Sequence, residues 1–196
     1  INFLDKLSYK YRKSIIIVVA KGALEEYFSF LNLKPYKAYA LYTFVDVERF
    51  NVDRVPAKKK ADTFKLLAVG ALRLQKNYPY LINAMALIRD KDIELDIYGV
   101  GGLRDELQAQ IQTTGAKVNL KGEVNNIEQI IPQYDLFVMS STYEGFSLGI
   151  LEAMAMRIPL LISDIASFKE QCEDNAWYFS LADVQDAARQ IVSLST

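Results

Sequence analysis

Short apolar segments alternate with longer amphipathic ones along most of the chain. From residue 64 onward, segments rich in Val, Ile, Leu and Tyr predict strands at 64–69, 93–98, 118–121, 136–140, 159–163 and 176–180. Helical spacing of apolar positions predicts helices at 78–89, 103–113, 127–133, 147–156, 168–173 and 184–194. Such alternation is typical of repeated βαβ units, whose strands pair in parallel. The pattern therefore predicts an α/β fold with a Rossmann-like, doubly wound parallel sheet.

The beginning of the chain is predicted to be a separate piece. Its pattern predicts a helix at 2–12, a strand at 14–19, a helix at 23–31 and a strand at 37–43. The polar stretch that follows carries Pro56 and the run Lys58-Lys59-Lys60, a composition suited to an exposed linker. We therefore assign a short αβαβ piece to 1–50, a linker to 51–62 and the main domain to 63–196.

Composition limits the chemistry that is available. The 23 basic and 24 acidic side chains nearly cancel, which argues against bulk nucleic-acid binding. The sequence has no histidine, so acid/base or electrostatic work must come from carboxylates, cations or backbone groups. One cysteine, Cys172, and no apolar run of membrane-spanning length predict a cytoplasmic protein. Because the chain begins at Ile1 within a predicted helix, we interpret it as an excised fragment.

The segment EGFSLGILEAMAMRIP, from Glu144 to Pro159, carries the strongest candidate chemistry. It follows the predicted strand 136–140 and begins a helix, where open α/β sheets bind ligands and free N–H groups favour phosphate. Glu152 lies on a nearly all-apolar helix, roughly 12 Å beyond Glu144 if the segment is helical throughout. Ligand hydroxyl groups would satisfy such a carboxylate. A core helix in which Glu152 pairs with an arginine or a backbone amide is the alternative that spacing leaves open.

This segment resembles the Glu-x7-Glu signature of retaining GT-B glycosyltransferases of family 4, commonly written EGFGLxxLEAMAxGxP. Ser147 and Arg157 stand where that signature often has glycine. The resemblance implies that Glu144 contacts the donor sugar and that Glu152 binds the ribose hydroxyls. It also implies that the diphosphate is bound at the start of the helix, by Gly145, Phe146, Ser147 and Leu148.

Two further loops resemble the same family. The stretch VGALRLQKN resembles the family's VGRLxxxKN loop, which implies that Lys76 neutralises the departing diphosphate. Ala71 replaces the family's arginine, and Arg73 is the candidate to take over its role. Positions that resemble the nucleotide-lining loops are Gly70, Gly99, Gly122 and Val124, the last two where family members hold the base. A solvated basic loop and ordinary tight turns are the alternatives for these residues.

The stretch YTFVDVERF, from Tyr42 to Phe50, resembles the interdomain segment usually written PNGVDxxxF. Asp46 and Phe50 match it, whereas the Asn-Gly pair of that segment is Thr43-Phe44 here. We expect this stretch to mark the domain junction.

The resemblance implies the donor-binding half of a GT-B hexosyltransferase. The intact enzyme is then expected to transfer a sugar from a nucleoside diphosphate sugar to an acceptor with retention, without a metal or another cofactor. The acceptor, a sugar or a lipid-linked molecule, would be bound mainly by a missing N-terminal domain, so the fragment alone should be inactive. A lipid-linked acceptor would place the intact enzyme at the inner membrane face. The alternatives are a nucleotide-sugar epimerase of the same architecture and a non-catalytic nucleotide-binding module.

Overall fold

The computed structural model describes residues 15–31, 37–58 and 62–196. Its strands are β1 (Ile15–Val18), β2 (Lys37–Ala40), β3 (Phe64–Val69), β4 (Ile93–Tyr98), β5 (Val118–Gly122), β6 (Leu136–Met139), β7 (Leu160–Ser163) and β8 (Trp177–Phe179). Its helices are α1 (Lys21–Leu31), α2 (Tyr78–Leu87), α3 (Arg104–Thr114), α4 (Ile127–Ile130), α5 (Leu148–Ala155), α6 (Ala166–Cys172) and α7 (Val184–Leu194). The helix predicted at 2–12 lies outside the described residues.

The main sheet is parallel throughout its described strands. Its strand order is β5-β4-β3-β6-β7-β8, and every neighbouring pair runs in the same direction. This is the order of Rossmann folds, in which the chain reverses its winding direction between β3 and β6. The predicted Rossmann-like α/β fold is therefore confirmed. Strands β1 and β2 form a separate parallel pair.

Helices cover both faces of the main sheet. The adjacent β3 residues Leu66 and Leu67 belong to different core clusters, because successive side chains of a strand point to opposite faces. Leu66 packs with buried residues of α2, α3 and α7, whereas Leu67 packs with those of α5 and α6. Since both faces are buried, the ends of the strands are the surfaces that remain open to a ligand.

The predicted elements of the main sheet are present, with shifted boundaries. The largest difference concerns the helix predicted at 127–133, which is α-helical only over Ile127–Ile130 and continues as a 3-10 turn over Ile131–Gln133. Proline lacks the N–H that an α-helix needs and clashes with the preceding turn, so Pro132 explains the early end. Helix α6 begins at Ala166, two residues before its predicted start at 168.

The segment predicted as an exposed linker is anchored to the main domain. Phe50, which precedes it, is only 5% exposed and belongs to the core cluster beneath α5 and α6. Val52 and Val55 pack against the same cluster, and Asn51 Oδ1 accepts a hydrogen bond from the amide of Asp53. The division of the chain into domains stays a prediction. Within the described ranges, no helix is both long and apolar enough to cross a bilayer.

Candidate functional site

A cleft lies at the carboxyl edge of the main sheet, beside the point where the strand order reverses. It has a volume of about 330 Å³ and is formed by the loops after β3, β4 and β5 together with α5. Four of the residues predicted for the site line it, namely Gly70, Gly99, Val124 and Glu152. We call it the small cleft.

Three glycines hold the floor of the small cleft close together. The amide of Gly70 donates to the carbonyl oxygen of Tyr98 at 2.9 Å, and that of Gly99 donates to the carbonyl oxygen of Gly122 at 2.8 Å. A Cβ atom on Gly99 would lie 2.0 Å from the carbonyl oxygen of Gly70. The φ angle of Gly99 is 147°, in a region that residues with a side chain rarely adopt. Glycine is thus required there for the loops after β3 and β4 to meet.

Glu152 projects into this cleft from α5 as a half-buried carboxylate. Burial raises its pKa, the charge of Arg49 lowers that pKa, and the charge of Glu128 raises it, with a net value above the ordinary one. Among the described residues the Glu152 carboxylate has no hydrogen-bond partner. The pairing with an arginine or an amide that the sequence left open is therefore not observed, and the carboxylate is free to accept hydrogen bonds from ligand hydroxyls.

Lys76 and Glu144 form an ion pair beside the small cleft. Lys76 Nζ lies 2.6 Å from Glu144 Oε1, and the side chains are only 17% and 12% exposed. Ser141 Oγ donates to the same Glu144 oxygen at 3.0 Å. The loops that carry them are joined by a hydrogen bond of 2.9 Å from the amide of Thr142 to the carbonyl oxygen of Gln75. The structure thus brings Lys76, predicted to contact the diphosphate, next to Glu144, predicted to contact the donor sugar.

The start of α5 is partly occupied by a side chain of α6. The amide of Ser147 donates to Gln171 Oε1 at 2.9 Å, and Gln171 Nε2 donates back to the carbonyl oxygen of Ser147 at 2.8 Å. A phosphate would have to displace Gln171 to reach the Ser147 amide, contrary to the free amide that the sequence predicted. Leu148 is the first residue of α5, so its N–H has no hydrogen-bond acceptor within the helix.

Arg73 is exposed and lies outside the residues that line the clefts. In the part of the chain that the structure describes, it makes no ion pair. Its role as a replacement for the arginine missing at Ala71 stays a prediction.

A second, wider cleft is lined partly by the main domain and partly by residues between positions 21 and 42. Its volume is about 1110 Å³, and its lining includes Glu144, Gly145, Tyr42 and Glu170. The carboxylate of Glu170 accepts hydrogen bonds from the amides of Lys21 and Gly22 and from Tyr42 Oη. The ring of Tyr42 lies 5.3 Å from that of Phe146. The β1–β2 piece therefore contacts the main domain next to Glu144.

The sequence analysis did not predict some of the contacts in this region. Ser141, Gln171 and Glu170 carry no local motif. Gln171 and Glu170 bond to partners in distant segments, whereas Ser141 bonds to Glu144 within its own loop. For Ser141 a weak signal exists, because it is a polar residue just after the apolar strand β6. Among the described residues, no cluster of acidic or cysteine side chains has an arrangement suited to a metal ion.

Comparison with known proteins identifies the family. Residues 63–196 match the model of the glycosyl transferases group 1. The chain belongs to this family. It is 30% identical to N-acetylgalactosamine-N,N'-diacetylbacillosaminyl-diphospho-undecaprenol 4-alpha-N-acetylgalactosaminyltransferase of Campylobacter jejuni, across 100% of this chain and 53% of that protein.

A second relative and a solved structure are also similar to this chain, the structure in its fold. UDP-Gal:alpha-D-GlcNAc-diphosphoundecaprenol alpha-1,3-galactosyltransferase of Escherichia coli is 32% identical, over 69% of this chain and 38% of its own length. The crystal structure of Anabaena Alr3699/HepE in complex with UDP and glucose superposes with a TM-score of 0.79 at 20% identity, covering 95% of this chain and 54% of that one. The chain spans about half the length of the relatives it matches.

Proposed function

We propose that this group 1 glycosyltransferase chain binds a nucleoside diphosphate sugar across the two clefts. The intact protein then transfers the sugar to an acceptor with retention, as a family 4 hexosyltransferase. The observation that carries the proposal is the free, half-buried carboxylate of Glu152 in the small cleft, together with the Lys76–Glu144 pair. In that pair the side chain of Lys76 lies close to Gly70 of the small cleft, and Glu144 lines the wider cleft. A nucleotide sugar carries the ribose hydroxyls, the diphosphate and the sugar in that order, and we match them to Glu152, Lys76 and Glu144 respectively.

Each part of the donor has a partner in this arrangement. Glu152 accepts hydrogen bonds from the ribose hydroxyls, and the main chain around Gly122 and Val124 lies where the base is expected. Lys76 exchanges Glu144 for a diphosphate oxygen and stabilises the negative charge of the leaving group, while Glu144 contacts the sugar. The helix start at Phe146 and Leu148 adds N–H groups. We propose that these groups act without a metal or another cofactor.

The names of the relatives support a UDP-sugar donor and an acceptor carried on a lipid diphosphate, as in glycoconjugate biosynthesis. We propose that this acceptor is bound mainly by a part of the protein outside this chain, which would place the intact enzyme at the membrane surface. The chain alone should bind the donor and transfer little or no sugar. The family match favours transfer over epimerisation.

The proposal is tested by calorimetric titration of the chain with UDP, GDP, ADP and dTDP, with and without magnesium. We expect saturable binding of UDP in both conditions. Binding that requires magnesium would contradict the metal-free arrangement, and preference for another nucleotide would change the donor. Release of UDP by the intact protein only when an acceptor is supplied would distinguish transfer from epimerisation and from a non-catalytic binding module.

Glu152→Gln should weaken UDP binding yet stabilise the fold near neutral pH. A hydrogen bond to a charged group contributes about 1.5–3 kcal/mol, so the loss should be roughly tenfold or more. Because burial raises the folded-state pKa of Glu152, its ionisation opposes folding as pH rises through the interval above its ordinary value. The variant lacks this cost, so its melting temperature at pH 7 should exceed that of the unaltered chain.

The matched control is Glu106→Gln, since Glu106 is an exposed glutamate of α3 that lines neither cleft. It should change neither UDP affinity nor melting temperature appreciably. Unchanged UDP affinity in Glu152→Gln would refute the ribose assignment. The affinity of the unaltered chain should also fall as pH drops through the raised pKa of Glu152, where the carboxylate gains a proton.

A further inference from the structure

Arg49 is fixed at the domain junction by its own backbone. Asp46 Oδ1 accepts hydrogen bonds from the amides of Glu48 and Arg49, and the carbonyl oxygen of Asp46 accepts one from the amide of Phe50 at 2.8 Å. Phe50 is buried in the core beneath α5, and its ring lies 5.3 Å from the Arg49 guanidinium. The guanidinium therefore starts from an anchored position, although half of the side chain is exposed.

The guanidinium contacts two positions near the loop after β5. Its Nε and Nη2 atoms donate to Glu128 Oε2 at 3.1 and 2.9 Å, and Nη2 also donates to the carbonyl oxygen of Asn125 at 3.0 Å. Glu128 is only 17% exposed. Charge-assisted bonds of this forked kind fix geometry as well as contributing energy. Glu128 and Asn125, which lie 79 and 76 residues after Arg49 in sequence, are thus both bonded to its side chain.

These two contacts involve residues adjacent in sequence to those that line the small cleft. Val124 and Ile127 line the cleft, and the residues that Arg49 contacts, Asn125 and Glu128, each follow one of them in sequence. Arg49 itself is not among the lining residues. Its contacts therefore fix the wall without blocking the space that a ligand would fill.

Arg49 also affects the opposite wall through its charge. It lowers the pKa of Glu152, whereas Glu128 raises it. The other titratable side chains that line this cleft are Glu123 and Tyr98. The Arg49 guanidinium thus contacts the wall formed by residues 123–128 and also affects the pKa of the Glu152 carboxylate.

We propose that Arg49 is a positioning residue for the nucleotide, holding the wall of residues 123–128 at the distance from Glu152 that a base and ribose require. This inference rests on the proposed function. It assigns to the junction segment a part in donor recognition in addition to connecting two parts of the chain. A lysine at this position would retain the charge but lose the fork that contacts Glu128 and Asn125 together.

Three variants and one matched control test the inference. Arg49→Ala removes both charge and fork, Arg49→Lys retains only the charge, and Glu128→Gln retains an acceptor but removes the opposing charge. The control is Arg54→Ala, because Arg54 is an arginine of the same segment that bonds only to Glu48 among the described residues. Both Arg49 variants should speed hydrogen exchange of the Gln129 and Ile131 amides in the free chain, which donate to the carbonyl oxygens of Asn126 and Ile127 in this wall, whereas Arg54→Ala should not.

UDP affinity and its pH dependence separate the two effects of Arg49. At pH 8 both Arg49 variants should bind UDP about tenfold more weakly, because a wall that Arg49 no longer holds must be ordered when the nucleotide binds. The pH midpoint of binding should move upward in Arg49→Ala, stay in place in Arg49→Lys and move downward in Glu128→Gln. A purely structural role would move none of these midpoints.

The outcomes distinguish this inference from the proposed function. Unchanged exchange of the Gln129 and Ile131 amides in both Arg49 variants would overturn the positioning role, whether or not UDP binds. Normal UDP affinity in the Arg49 variants, beside a loss in Glu152→Gln, would overturn the inference and leave the proposed function standing. Absence of UDP binding by the intact protein would overturn the proposed function and, with it, the role of Arg49 toward a nucleotide.

Discussion

Replacing Lys76 by alanine should remove most of the affinity for UDP while leaving the affinity for uridine nearly unchanged. Lys76 Nζ is held 2.6 Å from Glu144, which lines the wider cleft, and the Lys76 side chain lies close to Gly70 of the small cleft, so the diphosphate is proposed to lie beside it. A charge-assisted hydrogen bond in such a place is worth about 1.5–3 kcal/mol, so UDP binding should weaken roughly tenfold to hundredfold. Calorimetric titration with UDP and with uridine measures both quantities.

Lys169→Ala is the matched control, because Lys169 lines the wider cleft but its side chain is 55% exposed. It should bind UDP normally. Lys76→Ala should also unfold at a lower temperature, since Glu144 would remain largely buried without its cation. Adding Glu144→Gln should restore part of that stability but none of the UDP affinity. Equal losses for UDP and uridine would show that the cleft had collapsed and would contradict the diphosphate role.

The fold was predictable because its determinants are local and repeated. The strands of the main sheet are short and rich in apolar residues, and those buried on both faces, β6 and β7, are buried at every position. The ends of helices were less predictable where a single residue determines them. The helix predicted at 127–133 tightens at Pro132 because proline supplies no amide hydrogen.

The candidate site was predictable where a short motif carries it. Glu144 and Glu152 lie on one continuous segment, and the glycines that shape the small cleft follow predicted strands directly. The pairing of Lys76 with Glu144 joins loops 68 residues apart, and that of Ser147 with Gln171 joins two helices. No local pattern encodes such contacts, because they depend on how strands are ordered in the sheet.

Gly99→Ala should produce the largest loss of stability near the site. The added Cβ would lie 2.0 Å from the carbonyl oxygen of Gly70, which is backbone and is not free to rotate away as a side chain would be. The φ angle of 147° adds strain for any residue with a side chain. Strained backbone and overpacking each cost roughly 1–3 kcal/mol, so the free energy of unfolding should fall by about 2–6 kcal/mol. Urea denaturation measures this change.

Gly102→Ala gives the comparison within the same loop. A Cβ there meets no atom within 4 Å, so the free energy of unfolding should change by less than about 0.5 kcal/mol. Gly70 and Gly99 both line the small cleft, so separating their loops should abolish UDP binding in Gly99→Ala even below its unfolding transition. Gly102→Ala should bind UDP normally. Equal stability of the two variants would mean that the loops after β3 and β4 do not meet as closely as the 2.0 Å approach requires.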